Sequence, residues 1–215
     1  YKYWSYCKCE IDNYKGYLNN SHLSKIYSNP KTISKKITLL FEKPDIKSKI
    51  IGNLFLNSKV LVKEDKGEWL EIFITSLTTA FIFKDHTKII KNTQINWISL
   101  LKTFLDSPYK WGGKTVLGID CSGLTQTSLQ PFNIFIPRNS NQQLVFKSPY
   151  IKDVKDIERG CLIFWENHVA ISISNNKIIH SNAKTMSVCI ESFKAARKRI
   201  SKTYGEVLKI RKVII

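Results

Sequence analysis

Acidic residues are scarce in this sequence of 215 residues. Only 17 Asp and Glu stand against 34 Lys and Arg, which gives a formal net charge of +17 at pH 7. Such an excess would suit nucleic acid or an anionic surface. The basic residues are scattered, however, and no recognised nucleic-acid-binding module accompanies them. We therefore interpret the charge as a compositional bias towards Lys, Ile and Asn, with weak attraction to anionic polymers as a secondary reading, and predict no nucleic-acid partner.

Long apolar runs and metal-ligand spacings are missing as well. No apolar run is long enough to span a membrane, while the hydrophobic fraction of 43% is typical of a protein that packs a globular core. Cys7 and Cys9 lie too close together for a usual zinc pair, and no second Cys or His pair completes such a site. We therefore predict no membrane span, no metal and no cofactor.

The five cysteines are an odd number, so at least one thiol is free. A free, reactive thiol favours a reducing compartment, and we expect a cytoplasmic location. The chain begins with Tyr1 rather than Met, which leaves a removed signal peptide, and with it a periplasmic location, as the alternative. The oligomeric state stays open.

A Gly-rich, aromatic turn at residues 108–118 leads into an apolar run that begins at Cys121. Asp120 is a typical N-cap, so the pattern predicts a helix from Ser122 towards Leu129 with Cys121 in its first turn. Unpaired backbone N–H groups and the helix dipole favour a thiolate there. A buried, inert cysteine is the structural alternative. The flanking Asp, Ser and Gly residues argue against burial, so we predict that Cys121 is a nucleophile.

Two of the four histidines lie in a predicted hairpin downstream of this cysteine. His168 alternates with the apolar residues of a predicted strand, and residues 175–176 are a turn signal. A three-residue connection sets Ala170 opposite His180 and puts His168 diagonally beside it on the same face. A one-residue slip in register would send His180 to the other face of the sheet. The sequence therefore predicts this register specifically.

Taken singly, each histidine is more typical of a hydrogen-bonded structural residue. The presence of Cys121 together with both histidines favours a catalytic role instead. A nucleophilic cysteine needs a base that takes its proton and later returns it to the leaving amine. The sequence therefore predicts Cys121 as nucleophile, His168 as general base and acid, and His180 as the group that orients His168 and fixes its tautomer.

Several further motifs accompany this set in a fixed order. They are Tyr109-x-Trp111-Gly112-Gly113, Asp120-Cys121-Ser122-Gly123-Leu124, Pro137-Arg138-x-Ser140-x-x-Gln143, Gly160-x-Leu162-Ile163-Phe164-Trp165, His168-Val169 and Ile179-His180. Their order and spacing resemble the NlpC-type cysteine peptidases, papain-like bacterial enzymes that hydrolyse peptidoglycan peptides. Within that family the chain looks most like the γ-D-glutamyl-L-diamino acid endopeptidases (dipeptidyl-peptidase VI type), which carry bacterial SH3-like domains upstream.

The resemblance implies an α+β fold in which small all-β bacterial SH3-like barrels precede a papain-like cysteine peptidase domain. The predicted divisions are a partial SH3-like module at 1–24, a linker at 25–36, an SH3-like domain at 37–92 and the NlpC-type catalytic domain at 93–215. Periodicity within the last domain predicts a helix at 96–105, a strand at 161–165, a basic helix at 192–200 and a closing edge strand at 207–215.

The resemblance also implies substrate-binding residues. Tyr109 matches a tyrosine whose hydroxyl faces the reacting carbonyl, and Asp120 and Ser122 match positions where the substrate's free α-amine binds. Ser140 matches a serine that lines the same pocket. Carboxylate and hydroxyl acceptors suit an amine cation. A further carboxylate from the SH3-like domain is expected to help, and the candidates are Glu64, Glu68 and Glu71.

The function implied by the resemblance is hydrolysis of the γ-D-glutamyl-L-diamino acid (meso-diaminopimelate) bond of peptidoglycan stem peptides. We expect peptidoglycan-derived peptides as partners, above all free murein peptides with N-terminal L-Ala, and a role in wall-peptide recycling. Three alternatives stay open: a periplasmic hydrolase of intact wall stems, a non-catalytic wall-binding protein and a thioester acyltransferase. An acyltransferase would be expected to have an apolar channel beside Cys121, where this sequence has Asp120, Ser122 and Ser140.

Overall fold

A computed structural model describes residues 2–23, 29–88 and 96–214 and shows a protein of mixed helix and strand. The chain divides into two compact units, Tyr1–Ile90 and Lys91–Ile215. The predicted boundaries between residues 24 and 25 and between residues 92 and 93 fall outside the described residues.

Short antiparallel strands make up about half of the described N-terminal unit. The strands are β1 (Trp4–Lys8), β2 (Lys15–Asn19), β3 (Lys31–Thr32), β4 (Ile37–Phe41), β5 (Ile50–Phe55), β6 (Lys59–Val60), β7 (Val62–Lys66), β8 (Trp69–Phe73) and β9 (Thr79–Phe83). β1 pairs with β2 and β3 with β6, while the others form a five-stranded sheet in the order β5-β4-β9-β8-β7. Single 3₁₀ turns follow β2 at Asn20–His22 and β9 at Lys84–Thr87. The SH3-like barrel assignment stays a prediction.

The core of this unit is apolar because alternate strand residues point to the same side of the sheet. Its members are Ile33, Leu40, Val60, Leu70, Ile72, Ala80 and Ile82. Ile33 is fully buried, and its backbone N–H donates to the Ser58 carbonyl at 2.8 Å. Within the predicted linker at 25–36, Lys31 and Thr32 thus pair with β6 and Ile33 packs into the core of this unit.

The C-terminal unit combines four helices with eight strands in its described part. The helices are α1 (Trp97–Lys102), α2 (Cys121–Leu129), α3 (Ser140–Gln143) and α4 (Phe193–Tyr204), with 3₁₀ turns at Gln130–Phe132 and Val154–Asp156. The strands are β10 (Lys114–Thr115), β11 (Gly118–Ile119), β12 (Tyr150–Ile151), β13 (Cys161–Trp165), β14 (His168–Ser172), β15 (Lys177–Asn182), β16 (Ser187–Ser192) and β17 (Lys209–Lys212). No helix within the described ranges has the length and apolar character needed to cross a membrane.

Six of these strands form an antiparallel sheet in the order β12-β17-β13-β14-β15-β16. The closing strand β17 was expected at an edge, but it lies inside the sheet because the two-residue strand β12 pairs with its outer side. Residues of β13, β15 and α4 share one apolar cluster, which includes Ile163, Ile178 and Phe193. α2 contacts β14 and β15, so this helix packs against the two strands that carry His168 and His180.

Candidate active site

Cys121 is the first residue of α2, as predicted. The helix begins there because the Asp120 carboxylate caps it, accepting a hydrogen bond from the Gly123 N–H at 2.7 Å. Pairing of β10 with β11 ends directly before Asp120. The local sequence thus fixes where the chain turns into the helix and which residue comes first.

The Cys121 side chain is nearly buried, with 9% relative exposure. Burial raises the pKa of the Cys121 thiol to about 11, although the backbone N–H groups of Val169 and Ser122 act in the opposite direction. Desolvation thus outweighs the effect of the first helical turn on the pKa of Cys121 in the free protein. Cys121 rests as a thiol and needs a base to become a nucleophile.

The two histidines meet in the predicted register. Ile171 pairs with Ile179 and Ser172 with Ile178 across β14 and β15, which is the alignment that sets Ala170 opposite His180. The Nε2 atom of His168 lies 2.8 Å from the Nδ1 atom of His180, and both side chains are buried. The prediction that these imidazoles touch is confirmed.

His168 is held neutral by its surroundings. Burial, followed by the charges of His180 and Arg199, lowers the pKa of His168 to about 3. The Tyr204 ring stacks on the imidazole with an interplanar angle of 16° and 6.3 Å between centroids. A neutral imidazole keeps a lone pair at one ring nitrogen, so His168 is able to accept a proton.

Asp120 does more than cap α2, because its carboxylate forms a buried salt bridge with Arg138. The Nη2–Oδ2 distance is 2.6 Å and the Nη1–Oδ1 distance is 3.0 Å. The other donors to the two oxygens are the Gly112 N–H, the Gly123 N–H and the Ser122 hydroxyl. Five donors fill a carboxylate that has about four lone-pair sites. The Asp120 carboxylate is therefore fully hydrogen-bonded within the protein, and its role in binding a substrate amine stays a prediction.

Ser122 is committed to the same network. Its hydroxyl donates to Asp120 at 3.2 Å and accepts from Arg138 Nη1 at 2.9 Å, and the side chain is buried. The Ser122 carbonyl accepts from Gln143 Nε2 at 2.9 Å. The Ser122 hydroxyl thus supports Asp120 and Arg138, and its contact with substrate stays a prediction.

Two predicted substrate-binding residues lie closer to the surface. Tyr109 is half-buried, and burial, followed by the nearby Cys121 and Asp120 charges, raises the pKa of its hydroxyl. The hydroxyl therefore stays protonated and is able to donate. Ser140 is half-buried at the start of α3, three residues before Gln143. The roles of Tyr109 and Ser140 towards a substrate stay predictions.

The three glutamates proposed to help from the N-terminal unit differ in their bonding. Glu71 is buried and accepts from Lys63 Nζ at 2.7 Å and from Thr79 Oγ1 at 2.8 Å. Glu64 is exposed and pairs with Lys66 at 3.2 Å, and Glu68 is also exposed. Glu71 is therefore a structural carboxylate of its own sheet.

A second polar group lies on the far side of His180. The Nε2 atom of His180 is 2.7 Å from Glu191 Oε1, and Arg199 forms a salt bridge with the same carboxylate. Asn182 Nδ2 donates to Cys189 Sγ at 3.2 Å. His180, Cys189 and Glu191 offer ligand-type atoms within 4.8 Å of one another. Donors from Arg199 and Asn182 already point at these atoms, so we interpret the group as a hydrogen-bond network.

Arg138 and Glu191 had been given no role from the sequence. A signal for Arg138 is its position within the Pro137–Gln143 motif, since an arginine in a buried segment must be paired. A signal for Glu191 is strand alternation, because it follows Cys189 by two residues and shares its face. Neither signal identifies the residue that Arg138 or Glu191 binds. Those partners are set by the packing of strands and loops that are separate in the sequence.

Residues 106–205 match the family model described as the NlpC/P60 family. The matched segment contains Cys121, His168 and His180, together with the network residues Arg138 and Glu191. The match covers most of the C-terminal unit and none of the N-terminal one.

Two curated relatives extend the similarity beyond this segment. A γ-D-glutamyl-L-lysine dipeptidyl-peptidase of Bacillus cereus is 26% identical over 171 residues, which cover 76% of this chain and 48% of the relative. A dipeptidyl-peptidase 6 of Lysinibacillus sphaericus is 24% identical over 207 residues, which cover 89% of this chain and 74% of the relative. The chain thus spans about half the length of the Bacillus cereus relative.

The fold is similar to that of a solved NlpC/P60 family protein from Bacillus cereus. The two structures superimpose with a TM-score of 0.79 and 21% sequence identity over 99% of this chain and 76% of the other. At this identity the likeness shows a shared fold. The family match itself lies within the C-terminal unit, at residues 106–205.

Proposed function

We propose that this protein is a cysteine peptidase that hydrolyses the γ-D-glutamyl-L-diamino acid bond of peptidoglycan stem peptides. The observation that carries the proposal is the buried pair of His168 and His180, joined at 2.8 Å on the strands that contact α2, with Cys121 first in that helix. Cys121 hydrogen-bonds the backbone N–H of Val169, the residue next to His168. A thiol, a neutral base and a group that orients the base are the parts that acyl transfer needs.

The free-protein protonation states define the first step. The pKa of Cys121 is raised to about 11 and that of His168 is lowered to about 3, so both are neutral near pH 7. His168 takes the thiol proton as the sulfur attacks the substrate carbonyl, and the thiolate and imidazolium appear together. The backbone N–H of Cys121 and the Tyr109 hydroxyl support the oxyanion. His168 then protonates the leaving amine, and water releases the acyl group.

The proposed substrates are released murein tri- or tetrapeptides with a free N-terminal L-Ala, in a reducing cytoplasm. The Bacillus cereus and Lysinibacillus sphaericus relatives, with their dipeptidyl-peptidase names, support this peptide class. The test below compares two diamino acids, meso-diaminopimelate and L-Lys. Because Asp120 and Ser122 are bound to Arg138, the preference for a free amine needs its own measurement.

The test is mass spectrometry of L-Ala-γ-D-Glu-meso-diaminopimelate, its L-Lys counterpart and an N-acetylated copy of each after incubation with the protein. We expect release of L-Ala-D-Glu by the wild type. Cys121→Ala is expected to lose activity by about 10⁴-fold or more, because the nucleophile cannot be replaced by water in the same geometry. Cys9→Ala removes an exposed thiol of the N-terminal hairpin and is the matched control, with activity retained.

Each outcome has a distinct meaning. Cleavage of free peptides only supports both the peptidase and the free-amine preference. Cleavage of acetylated peptides as well keeps the peptidase and favours intact wall stems. No cleavage of any peptide by a folded wild-type protein would contradict the hydrolase and favour the wall-binding or acyltransferase alternative.

A further inference from the structure

Glu191 is placed beside His180 by strand register. His180 pairs with Cys189 across β15 and β16, and Glu191 follows two residues later on the same face. Its Oε1 atom lies 2.7 Å from His180 Nε2, and Arg199 of α4 binds the same carboxylate. The hydrogen-bonded series therefore runs from His168 through His180 to Glu191 and Arg199.

While His180 is neutral, the chemistry of these groups fixes the direction of the hydrogen bonds along this series. An ionised carboxylate only accepts, so His180 carries its proton on Nε2. The Nδ1 atom of a neutral His180 then only accepts, and His168 must donate to it from Nε2. The lone pair of His168 is left on Nδ1, the nitrogen that does not contact His180. Through two imidazoles, Glu191 thus decides which nitrogen of His168 is basic.

We propose that Glu191, anchored by Arg199, is a positioning residue that sets the tautomers of both histidines and stabilises the proton that they receive from Cys121. This inference rests on the proposed cysteine-peptidase function. The proton of the Cys121 thiol passes to His168 Nδ1, and the S–H electron pair stays on sulfur. The His168 Nε2 proton is shared with His180 Nδ1, so the new positive charge spreads towards the Glu191 carboxylate and the net charge of the site is unchanged.

The charges around His180 support this role. Burial lowers the pKa of His180, but hydrogen bonds to Cys189 and Glu191 outweigh it, and the pKa is raised. The pKa of Glu191 is lowered, first by its hydrogen bond to His180 and also by Arg199, so it stays ionised near pH 7. The titratable and charged groups that face the two imidazoles are Cys121, Cys189, Glu191, Arg199 and Tyr204.

The test measures the reactivity of Cys121 and needs no substrate, so its outcome is independent of whether the peptide assay succeeds. The full-length protein is alkylated with iodoacetamide from pH 5 to pH 11, and the Cys121 peptide is followed by mass spectrometry apart from the other cysteines. The rate at pH 7 in a variant, divided by the wild-type rate at pH 7, gives the change in the thiolate fraction of Cys121. Glu191→Gln is expected to lower that fraction about tenfold, because it removes a charge next to the imidazolium.

Two further variants separate charge from structure. Arg199→Gln removes the neighbouring cation and is expected to raise the thiolate fraction, opposite in sign to Glu191→Gln. Glu191→Asp keeps the charge and is expected to recover most of the fraction. A wild-type fraction in folded Glu191→Gln, or changes of the same sign in the Glu191 and Arg199 variants, would contradict the proposal. If Glu191→Gln does not fold, the sign of the Arg199→Gln change decides.

The tautomers have a direct readout that does not involve catalysis. In a Cys121→Ala background, ¹⁵N spectra of selectively labelled histidine report which ring nitrogen carries the proton for each of the four histidines. We expect His180 to be protonated on Nε2 and His168 to keep a bare Nδ1. Spectra with the His180 proton on Nδ1 alone would overturn the assignment, whatever the peptidase activity.

Discussion

The two units of the chain bury very different side chains. Among the described residues, two buried polar or charged residues belong to the N-terminal unit and fourteen to the C-terminal unit. The N-terminal pair is Thr38, bonded to His86 in the 3₁₀ turn after β9, and Glu71, bonded to Thr79 of β9. The C-terminal group surrounds the start of α2 and the histidine strands. Burial of a polar group is unfavourable unless it is hydrogen-bonded, so this concentration marks where the fold serves chemistry as well as stability.

The comparison also shows how differently the two units depend on individual polar contacts. The N-terminal sheet is stabilised mainly by apolar burial. The stabilising free energy falls in small steps as buried methylene groups are removed. The C-terminal site depends on fully paired charges, whose loss leaves an uncompensated group in a region of low dielectric. We therefore expect sharp responses to small changes near α2 and weak responses to matched changes at the surface or in the N-terminal sheet.

The largest stability effect is expected from Arg138→Met. It leaves the buried Asp120 carboxylate without its cation, and removal of one partner of a buried pair costs about 3–5 kcal/mol. Arg197→Met is the matched control, because it breaks an exposed pair with Glu206 that is worth about 0–1 kcal/mol. Urea unfolding, with hydrogen exchange of α2 as the local probe, measures both.

A double variant sharpens the interpretation of the Arg138 result. Asp120→Asn keeps a helix cap but removes the charge, so Asp120→Asn with Arg138→Met is expected to be more stable than Arg138→Met alone. A double variant at least as unstable as that single variant would show that Arg138 stabilises the site through packing or its other hydrogen bonds.

Acid should loosen the C-terminal sheet before the N-terminal one. His168 has a folded pKa of about 3 against 6.5 in an unfolded chain, so the unfolded state binds the extra proton and stability falls below pH 6.5. The loss from this group at pH 4 is at most about 3 kcal/mol. His180, whose pKa is raised, acts in the opposite direction and offsets part of it.

His86 provides the comparison in the N-terminal unit. Its pKa is also lowered by burial, but it is only partly buried and bonds to Thr38, so its acid response should be smaller. Hydrogen exchange of β14 and β8 at pH 7 and pH 4, corrected for intrinsic rates, measures the difference. Equal loss of protection in the two strands, or an unchanged loss in His168→Asn, would count against His168 as the source.

Local patterns predicted the parts of the site that depend on neighbouring residues. The cap at Asp120, the first-turn position of Cys121 and the hairpin register of His168 and His180 follow from turn chemistry and a period of two. The strand at Cys161–Trp165 was also predicted with the observed bounds. These features are encoded within about ten residues, so the sequence specifies them without knowledge of the rest of the fold.

What the sequence did not predict depends on segments that are distant along the chain. The salt bridge of Asp120 with Arg138 and the burial of Cys121 arise only when loop and helix pack together. Those contacts give the Asp120 carboxylate a structural partner that the sequence did not indicate. The internal position of β17 likewise requires β12, which is two residues long and gives no periodic signal.

The smallest predicted effect concerns two glycines with opposite surroundings. A Cβ on Gly123 in α2 would lie 2.3 Å from the backbone carbonyl oxygen of Gly113, which cannot move without the turn that leads to Cys121. Ala normally stabilises a helix relative to Gly by about 1 kcal/mol. Here we expect the reverse, a loss of about 1–3 kcal/mol from overpacking, together with lower Cys121 reactivity.

Gly52 in β5 is the matched position in the N-terminal sheet. Its added Cβ would meet only the end of the flexible Leu40 side chain, at 3.4 Å. Gly52→Ala is therefore expected to change the unfolding free energy by less than about 1 kcal/mol, since the leucine can adjust its rotamer. Urea unfolding of both variants compares them directly. If Gly123→Ala instead stabilises the protein, as helix propensity alone would suggest, then the turn before Cys121 can move to accept the added methyl group. The contrast between a rigid site and an adaptable sheet would then not hold at Gly123.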